Sequence, residues 1–139
     1  MEDLKRLKRE QLEAKEDALQ HIYKMFNRYE SSPPILYYAY FEDMPMGHEV
    51  KIAPDIYSTV IYRDELSMIV RTEFQKQGAI LKNHCHDCRE DIYVLSGRFR
   101  DNETGKVYTA KEGVIYNPYT THEPLCLEVG VMDVKFWKP

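Results

Sequence analysis

Residues 78–97 read GAILKNHCHDCREDIYVLSG and decide how the rest of the sequence is interpreted. His84 and His86 stand two residues apart, so in a β-strand both side chains point to the same face. Cys85, which lies between them, should then point to the opposite face. Glu90 follows after a short turn and can swing back toward the two imidazoles. Two histidines and a carboxylate that converge suit a divalent transition metal, so this stretch predicts a metal site.

A fourth candidate ligand comes from a separate part of the chain. His122 follows residues 117–121, which contain a proline and are typical of a turn. A histidine that begins a strand after such a turn can reach the same site as the first two. His122 is therefore a candidate for a fourth ligand, and the alternative is an ordinary turn histidine.

These residues resemble the first motif of the cupin family. The pattern Gly-x5-His-x-His-x3-Glu-x6-Gly, which runs from Gly78 to Gly97, matches that motif at every specified position. An accidental match is expected roughly once in ten thousand sequences of this composition. The second cupin motif is matched more loosely. Gly113 and His122 stand at its first Gly and its His. The other positions depart from it: Asn117-Pro118 is one residue out of step with the Pro of the motif, Tyr119 or Thr120 replaces its second Gly, and Cys126 replaces its Asn.

The resemblance implies an all-β fold, the RmlC-like double-stranded β-helix barrel of the cupins. It also implies that Fe, Mn, Zn, Ni or Cu is bound through His84, His86, Glu90 and His122. Residues 90–101, with shorter segments further along, resemble the ChrR-type anti-sigma cupins and the acetylacetone-cleaving, dioxygenase-like cupins. Complete anti-sigma proteins of that type also carry a helical sigma-binding domain. Residues 1–32 are too short for such a domain, so the anti-sigma function is not carried over.

Residues 1–32 are predicted to form an amphipathic helix that precedes a cupin barrel at residues 33–139. Residues 2–30 contain neither glycine nor proline, and apolar residues such as Leu19, Ile22 and Phe26 recur at helical spacing. The sequence Ser-Ser-Pro-Pro at 31–34 ends the helix because proline cannot continue it. Two interpretations stay open: a solvated helix with one packed stripe, or a helix that contacts a second subunit or another protein.

From Ile35 onward the chain is typical of short β-strands separated by turns. Valine, isoleucine, tyrosine and phenylalanine are frequent, and residues 66–74 alternate between apolar and polar. Many short strands at close spacing indicate a β-sandwich or barrel. The predicted strands are 35–41, 56–62, 66–74, 80–86, 91–100, 106–110, 114–116 and 125–137, the last in one or two pieces.

The composition limits the class of protein. The 139 residues correspond to one domain, and a net charge of -4 argues against a nucleic-acid-binding surface. No apolar run approaches the roughly 20 residues of a membrane span, and the charged N-terminus does not resemble a secretory signal. Three cysteines, an odd number, do not indicate a secreted disulfide framework. We therefore expect a cytoplasmic protein that binds neither nucleic acid nor membrane, and the cupin resemblance implies a homodimer with a small-molecule ligand.

Several further residues are candidates for a pocket beside the metal. Cys126 shares strand parity with His122 and can face the cavity, either as a buried structural thiol or as a redox-sensitive thiol. Tyrosine is frequent, with eleven residues, and most of these are expected to pack between strands. The tyrosines that can line the pocket are Tyr62, Tyr93, Tyr116 and Tyr119.

The cupin resemblance favours a metalloenzyme that acts on a small molecule by dioxygenase-like or related C–C cleaving chemistry. No residue is singled out as its general acid or base. The alternative is a non-enzymatic module that senses a metal, a redox state or a ligand and contacts a partner through the N-terminal helix. A closed four-ligand zinc site without a cavity argues for the sensor, whereas an open site in a tyrosine-lined pocket argues for the enzyme.

Overall fold

A computed structural model of the chain describes residues 22–24, 26 and 33–139. Ten elements follow one another in residues 33–139, nine strands and one short helix. They are β1 (Ile35–Leu36), α1 (Tyr38–Glu42), β2 (Glu49–Ala53), β3 (Ile56–Arg63), β4 (Ser67–Phe74), β5 (Cys85–His86), β6 (Glu90–Asp101), β7 (Val107–Thr109), β8 (Gly113–Tyr116) and β9 (Pro124–Trp137).

One antiparallel sheet of seven strands carries most of the core. Its strands follow the order β2-β3-β4-β9-β6-β7, and β8 pairs with β6. The two longest strands, β6 and β9, pair along most of their length, with Ile92 opposite Val134. Strands β1 and β5 pair in parallel and form a separate two-stranded sheet. This small sheet lies at the first histidine motif, because β5 contains His86.

Alternation along the strands directs one face of the sheet into the barrel. In β9, Met132, Val134 and Phe136 are buried, and the residues between them are partly exposed. The same period of two buries Val70 and Phe74 in β4. Burial of this apolar face is the main stabilising contribution, at about 25 cal/mol per Å² of apolar surface.

Both glycines of the first motif stand where the backbone needs glycine. Gly78 and Gly97 have φ angles of 89° and 83°, in the left-handed region that favours a residue without Cβ. At Gly97 a Cβ would also lie 2.6 Å from the carbonyl oxygen of Glu128 in β9. These glycines therefore allow the turn before His84 and the close contact of β6 with β9.

The prediction of a strand over residues 35–41 is wrong beyond Leu36, because helix α1 follows there. Asp87 Oδ1 accepts a hydrogen bond from the backbone N–H of Tyr38, at 2.7 Å, where the helix begins. Arg63 donates to the carbonyl oxygens of Phe41 and Met44 where the helix ends. Both ends of α1 are thus held by distant side chains, which a local pattern of Tyr and Phe does not reveal.

Two other differences concern short or irregular strands. Strand β2 is absent from the prediction, because Glu49 and Lys51 alternate with its apolar residues and give it a mixed composition. Residues 80–86 are a regular strand only at β5. The remainder of that segment forms isolated bridges, between Ile80 and Leu125 and between His84 and His122.

The predicted N-terminal helix lies mostly outside the described residues. Residues 22–24 and 26 are helical, and Ile22 and Phe26, four residues apart, are both buried in the core of the barrel. The described part of this segment therefore packs on the barrel. In the part of the chain that the structure describes, no helix has the length and apolar character needed to cross a lipid bilayer.

Candidate metal centre

Three histidines meet inside the barrel, two from the first motif and one from the second. His84 and His122 exchange two backbone hydrogen bonds, of 3.1 and 3.0 Å, which place their side chains next to each other. His86 follows in β5, and one ring nitrogen of each of the three lies within 4.8 Å of the others. All three side chains are buried. The structure thus brings together three side chains that are 38 residues apart at most and can hold a metal ion.

The outer nitrogen of each ring is fixed by a backbone carbonyl. His84 Nδ1 lies 2.7 Å from the carbonyl oxygen of Lys82, and His86 Nδ1 lies 2.9 Å from that of Leu36. His122 Nδ1 lies 3.1 Å from the carbonyl oxygen of Thr120. A carbonyl can only accept, so each Nδ1 carries the proton and each neutral ring keeps its lone pair on Nε2. This arrangement is typical of histidines that bind a metal through Nε2.

Burial keeps the first two imidazoles neutral. Desolvation lowers the pKa of His84 well below its ordinary value, and the neighbouring His122 and His86 lower it further. Desolvation also lowers the pKa of His86, against the opposing effect of Glu90. Neutral imidazole is the form that binds a metal, so these two side chains are in the required state at neutral pH.

Glu90 completes the group from the first position of β6. Its Oε2 atom lies 3.2 Å from His122 Nε2 and 3.5 Å from His86 Nε2. Despite these short distances, Oε2 is buried and has no hydrogen-bond partner. When both rings are neutral and carry their proton on Nδ1, the two Nε2 atoms present lone pairs, and a carboxylate oxygen beside them is then unfavourable unless a cation lies between them. The four donor atoms therefore fit a divalent transition metal, which accepts imidazole nitrogen and carboxylate oxygen.

Aromatic rings surround the histidines. Phe26 contacts His84 edge-on, with ring centroids 4.7 Å apart, and Phe136 contacts His86 at 4.8 Å. Phe41 from α1 stacks on Phe136 at 5.0 Å. Rings of this kind exclude water and leave each imidazole little freedom to turn.

A buried network supports His122 from behind. Tyr116 stacks on His122 with ring centroids 4.4 Å apart, and its hydroxyl donates to Asp101 Oδ2 at 2.7 Å. Asp101 Oδ1 accepts the backbone N–H groups of Glu103 and Glu123. Burial and the nearby Asp101 raise the pKa of Tyr116, which therefore stays a neutral phenol. Tyr116 orients His122 and does not face the site itself.

Residues 34–41, at the start of the predicted barrel, supply contacts that the motifs do not show. The carbonyl of Leu36 fixes His86, that of Pro34 accepts the N–H of Cys85, and Phe41 packs near His86. In the sequence the prolines at 33–34 indicated only the end of a helix. No local signal identifies residues that act through a parallel pairing of β1 with β5.

The space between the ligands and the rings is a small cavity of about 30 Å³. A volume of roughly 10–15 Å³ on this measure holds one water, so the cavity admits two or three water-sized groups. Its wall is mostly apolar, and the polar side chains in it other than the candidate ligands belong to Ser58 and Thr72. An ion held here has room for only a very small additional ligand.

Three of the four predicted pocket tyrosines lie away from this cavity. Tyr62 is 45% exposed because the pairing of β3 with β4 shifts register between Val60 and Tyr62, and its hydroxyl donates to Asp64. Tyr93 is 46% exposed because its neighbours in β6 take the inner face. Tyr119 is exposed as well, with a φ of 64°, in the turn where the family motif has glycine. The expected tyrosine-lined pocket is therefore not what the structure shows.

The cysteines are buried and do not join the candidate ligands. Cys126 was expected to face the cavity, but it is not among the residues that line it and is buried in β9, in register with Phe99 of β6. Burial raises the pKa of its thiol, which makes a reactive thiolate unfavourable. Cys85 is directed toward the carbonyl of Pro34, as expected for a residue on the opposite face from the histidines. Burial and then Asp87 raise the pKa of Cys88 to about 12.

Comparison with known proteins gives matches to structures only, since no family model and no curated protein matches the sequence. An RmlC-like cupin from Shewanella frigidimarina NCIMB 400 has 24% identity and a TM-score of 0.61, covering 67% of this chain and 85% of that chain. The structure of Rhodobacter sphaeroides SigE with the anti-sigma ChrR has 16% identity and a TM-score of 0.57, covering 63% of this chain and 47% of that chain. The polyketide cyclase RemF from Streptomyces resistomycificus has 13% identity and a TM-score of 0.54, covering 61% of this chain and 66% of that chain. These likenesses confirm that the chain has the RmlC-like cupin fold.

Proposed function

We propose that this chain binds one divalent transition metal ion through Nε2 of His84, His86 and His122 and Oε2 of Glu90. The observation that carries the proposal is the buried Oε2 of Glu90, which has no hydrogen-bond donor and faces two imidazole nitrogens. A cation satisfies all four acceptor atoms at once. Iron, manganese, zinc and nickel all accept this set of nitrogen and oxygen donors.

We further propose that the chain is a metalloenzyme for a small molecule, with dioxygenase-like or related C–C cleaving chemistry. A bound metal of this kind supplies Lewis-acid polarisation and, in the case of iron, chemistry with dioxygen. The residues of the chain hold and orient the site. Backbone carbonyls fix the three rings, Glu90 contributes one negative charge, and Phe26, Phe41 and Phe136 exclude water.

A second candidate function is a sensor of metal or ligand. It is favoured by the contact of Phe26 with His84, because Phe26 belongs to the segment before the barrel. A change at His84 can therefore alter how that segment packs. The small cavity also suits a sensor better than a site for a large substrate. The likeness to an anti-sigma cupin is compatible with this candidate but extends to the fold alone.

Metal analysis of the purified protein tests the metal binding that both candidate functions require. We expect about one equivalent of a transition metal per chain. Removal by a chelator should lower the free energy of unfolding by about 3 kcal/mol, the contribution of a ligand present at roughly 100 times its dissociation constant. Less than about a tenth of an equivalent, together with failure to bind added metal, would contradict a structural site of this kind.

Oxygen uptake separates the enzyme from the sensor. Protein loaded with Fe(II) is expected to consume dioxygen when a carbonyl compound of no more than about three heavy atoms, such as acetaldehyde, is added, because only a molecule of that size fits the cavity. Protein loaded with Zn(II) is not expected to do so, because zinc has no redox chemistry. The zinc form is the matched control, with the same ligands and fold. Equal, background-level uptake by both forms across a panel of carbonyl compounds and carboxylates of that size would argue for the sensor.

A further inference from the structure

A pair of hydroxyl groups lies in the apolar wall of the cavity that the candidate metal ligands share. Ser58 in β3 and Thr72 in β4 stand directly opposite each other in the register of the two strands. Their side chains are 1% and 4% exposed, and the two hydroxyl oxygens are 2.8 Å apart. Both residues line the same cavity as His84, His86, Glu90 and His122.

One of the two hydroxyl hydrogens of this pair has no hydrogen-bond acceptor in the part of the chain that the structure describes. Two hydroxyls carry two hydrogens, and the bond between Ser58 and Thr72 uses one of them. Among the described residues, neither side chain makes another hydrogen bond. A cross-strand Ser–Thr pair contributes some stability by itself, but a buried hydroxyl hydrogen normally has an acceptor. One donor is therefore left over at the wall of the cavity.

The charge of the site favours an anion as the missing acceptor. This step rests on the proposed metal: three neutral imidazoles and one carboxylate around a divalent ion leave a net charge of about +1. No other charged side chain lines the described cavity, and most of its wall is apolar. A buried net charge is costly, so a monoanion that neutralises it is strongly favoured.

The size of the cavity restricts that anion. The volume of about 30 Å³ admits only two or three water-sized groups beside the ligands. Phe26 limits the space on the side of His84, where the two rings are in contact. We propose that the cavity binds a monoanion of about three heavy atoms, such as formate, between the metal ligands and the Ser58–Thr72 pair, and that Phe26 sets its upper size.

Cobalt-loaded protein makes this binding measurable without a reaction. Co(II) accepts the same ligands and absorbs visible light in a way that changes when a further ligand binds. Titration with azide and with formate is expected to give saturable spectral changes. The double variant Ser58→Ala, Thr72→Val should bind both anions about 5- to 10-fold more weakly, the effect of one lost hydrogen bond. Its cobalt content and its spectrum without anion should be unchanged.

The double variant is chosen because it removes both partners of one hydrogen bond and replaces them with groups of similar shape. Such a replacement is close to neutral for stability, so the protein should fold. The variant Phe26→Ala tests whether Phe26 limits the size of the bound anion. Acetate should leave the spectrum of the unsubstituted protein unchanged and should bind the Phe26→Ala variant, since that variant has a larger cavity.

Cobalt binding tests the metal site, and anion binding by the cobalt-loaded protein tests the anion site separately. Failure to bind Co(II) would overturn the metal site and this inference with it. Normal cobalt binding with the same azide affinity in the double variant would overturn the role of Ser58 and Thr72 alone. Equal binding of acetate and formate by the unsubstituted protein would overturn the size limit set by Phe26.

Discussion

The variant His86→Ala is expected to bind a divalent transition metal about 100-fold more weakly than the unsubstituted protein, or worse. Binding free energies of about 10–16 kcal/mol for structural zinc sites with four ligands correspond to roughly 2.5–4 kcal/mol per ligand, and each 1.4 kcal/mol is tenfold in affinity. The loss at His86 should be large because its ring is fully positioned, with Nδ1 bonded to Leu36 and Nε2 beside Glu90. Competition with a metal-sensitive dye measures the affinity.

His48→Ala is the matched control for this prediction. His48 is also a histidine of the described chain, but it is exposed and does not belong to the group of three. Its replacement should leave the metal affinity unchanged. If His86→Ala does not fold, His86→Gln keeps a polar side chain at that position and serves in its place. Stoichiometric binding with unchanged affinity in a folded His86 variant would show that His86 is not a ligand of the bound metal.

The fold was predictable from the sequence because its main signals are local. Period-two alternation identifies strands such as β4, and the positive φ angles of Gly78 and Gly97 explain why glycines stand at both ends of the motif. The spacing of His84 and His86 also places both on one face, as the structure shows. In each case the pattern depends on neighbours a few residues away.

The surroundings of the site were not predictable, because they depend on pairings between distant segments. Leu36 fixes His86 across 50 residues through a backbone carbonyl, which every residue type has. Phe26 contacts His84 from the helical segment, and no sequence pattern specifies that contact. Tyr62 has the expected parity for the interior, but a register shift in β3 turns it outward. Strand parity predicts orientation only where the pairing is regular.

The four candidate ligands form an arrangement that is unfavourable without a cation. Three imidazole nitrogens and a carboxylate oxygen converge in a buried space, and the oxygen has no hydrogen-bond partner. Stability alone would favour a donor at position 90. Sites that bind or react often carry such a local cost, which the bound group relieves. The carboxylate is unfavourable in the metal-free protein and favourable when metal is bound. One substitution at this position should therefore raise the stability of the metal-free protein and lower its metal affinity.

Glu90→Gln is that substitution. In the metal-free protein the amide nitrogen can donate to Nε2 of His122, so we expect the free energy of unfolding to rise by about 1–3 kcal/mol. Metal affinity should fall at the same time, because the site loses its anionic ligand. Urea unfolding with a chelator present measures the first effect, and dye competition measures the second.

Glu123→Gln is the matched control, since Glu123 is a carboxylate whose two oxygens already accept hydrogen bonds, from the backbone of Asn83 and the amide of Asn102. This variant should lose stability and keep its metal affinity. If Glu90→Gln is destabilised to a similar extent in the metal-free protein, Glu90 is held by protonated histidines as a structural ion pair. An increase in stability together with weaker metal binding would instead mean that the carboxylate at position 90 is retained for the metal, because only a cation makes it favourable there.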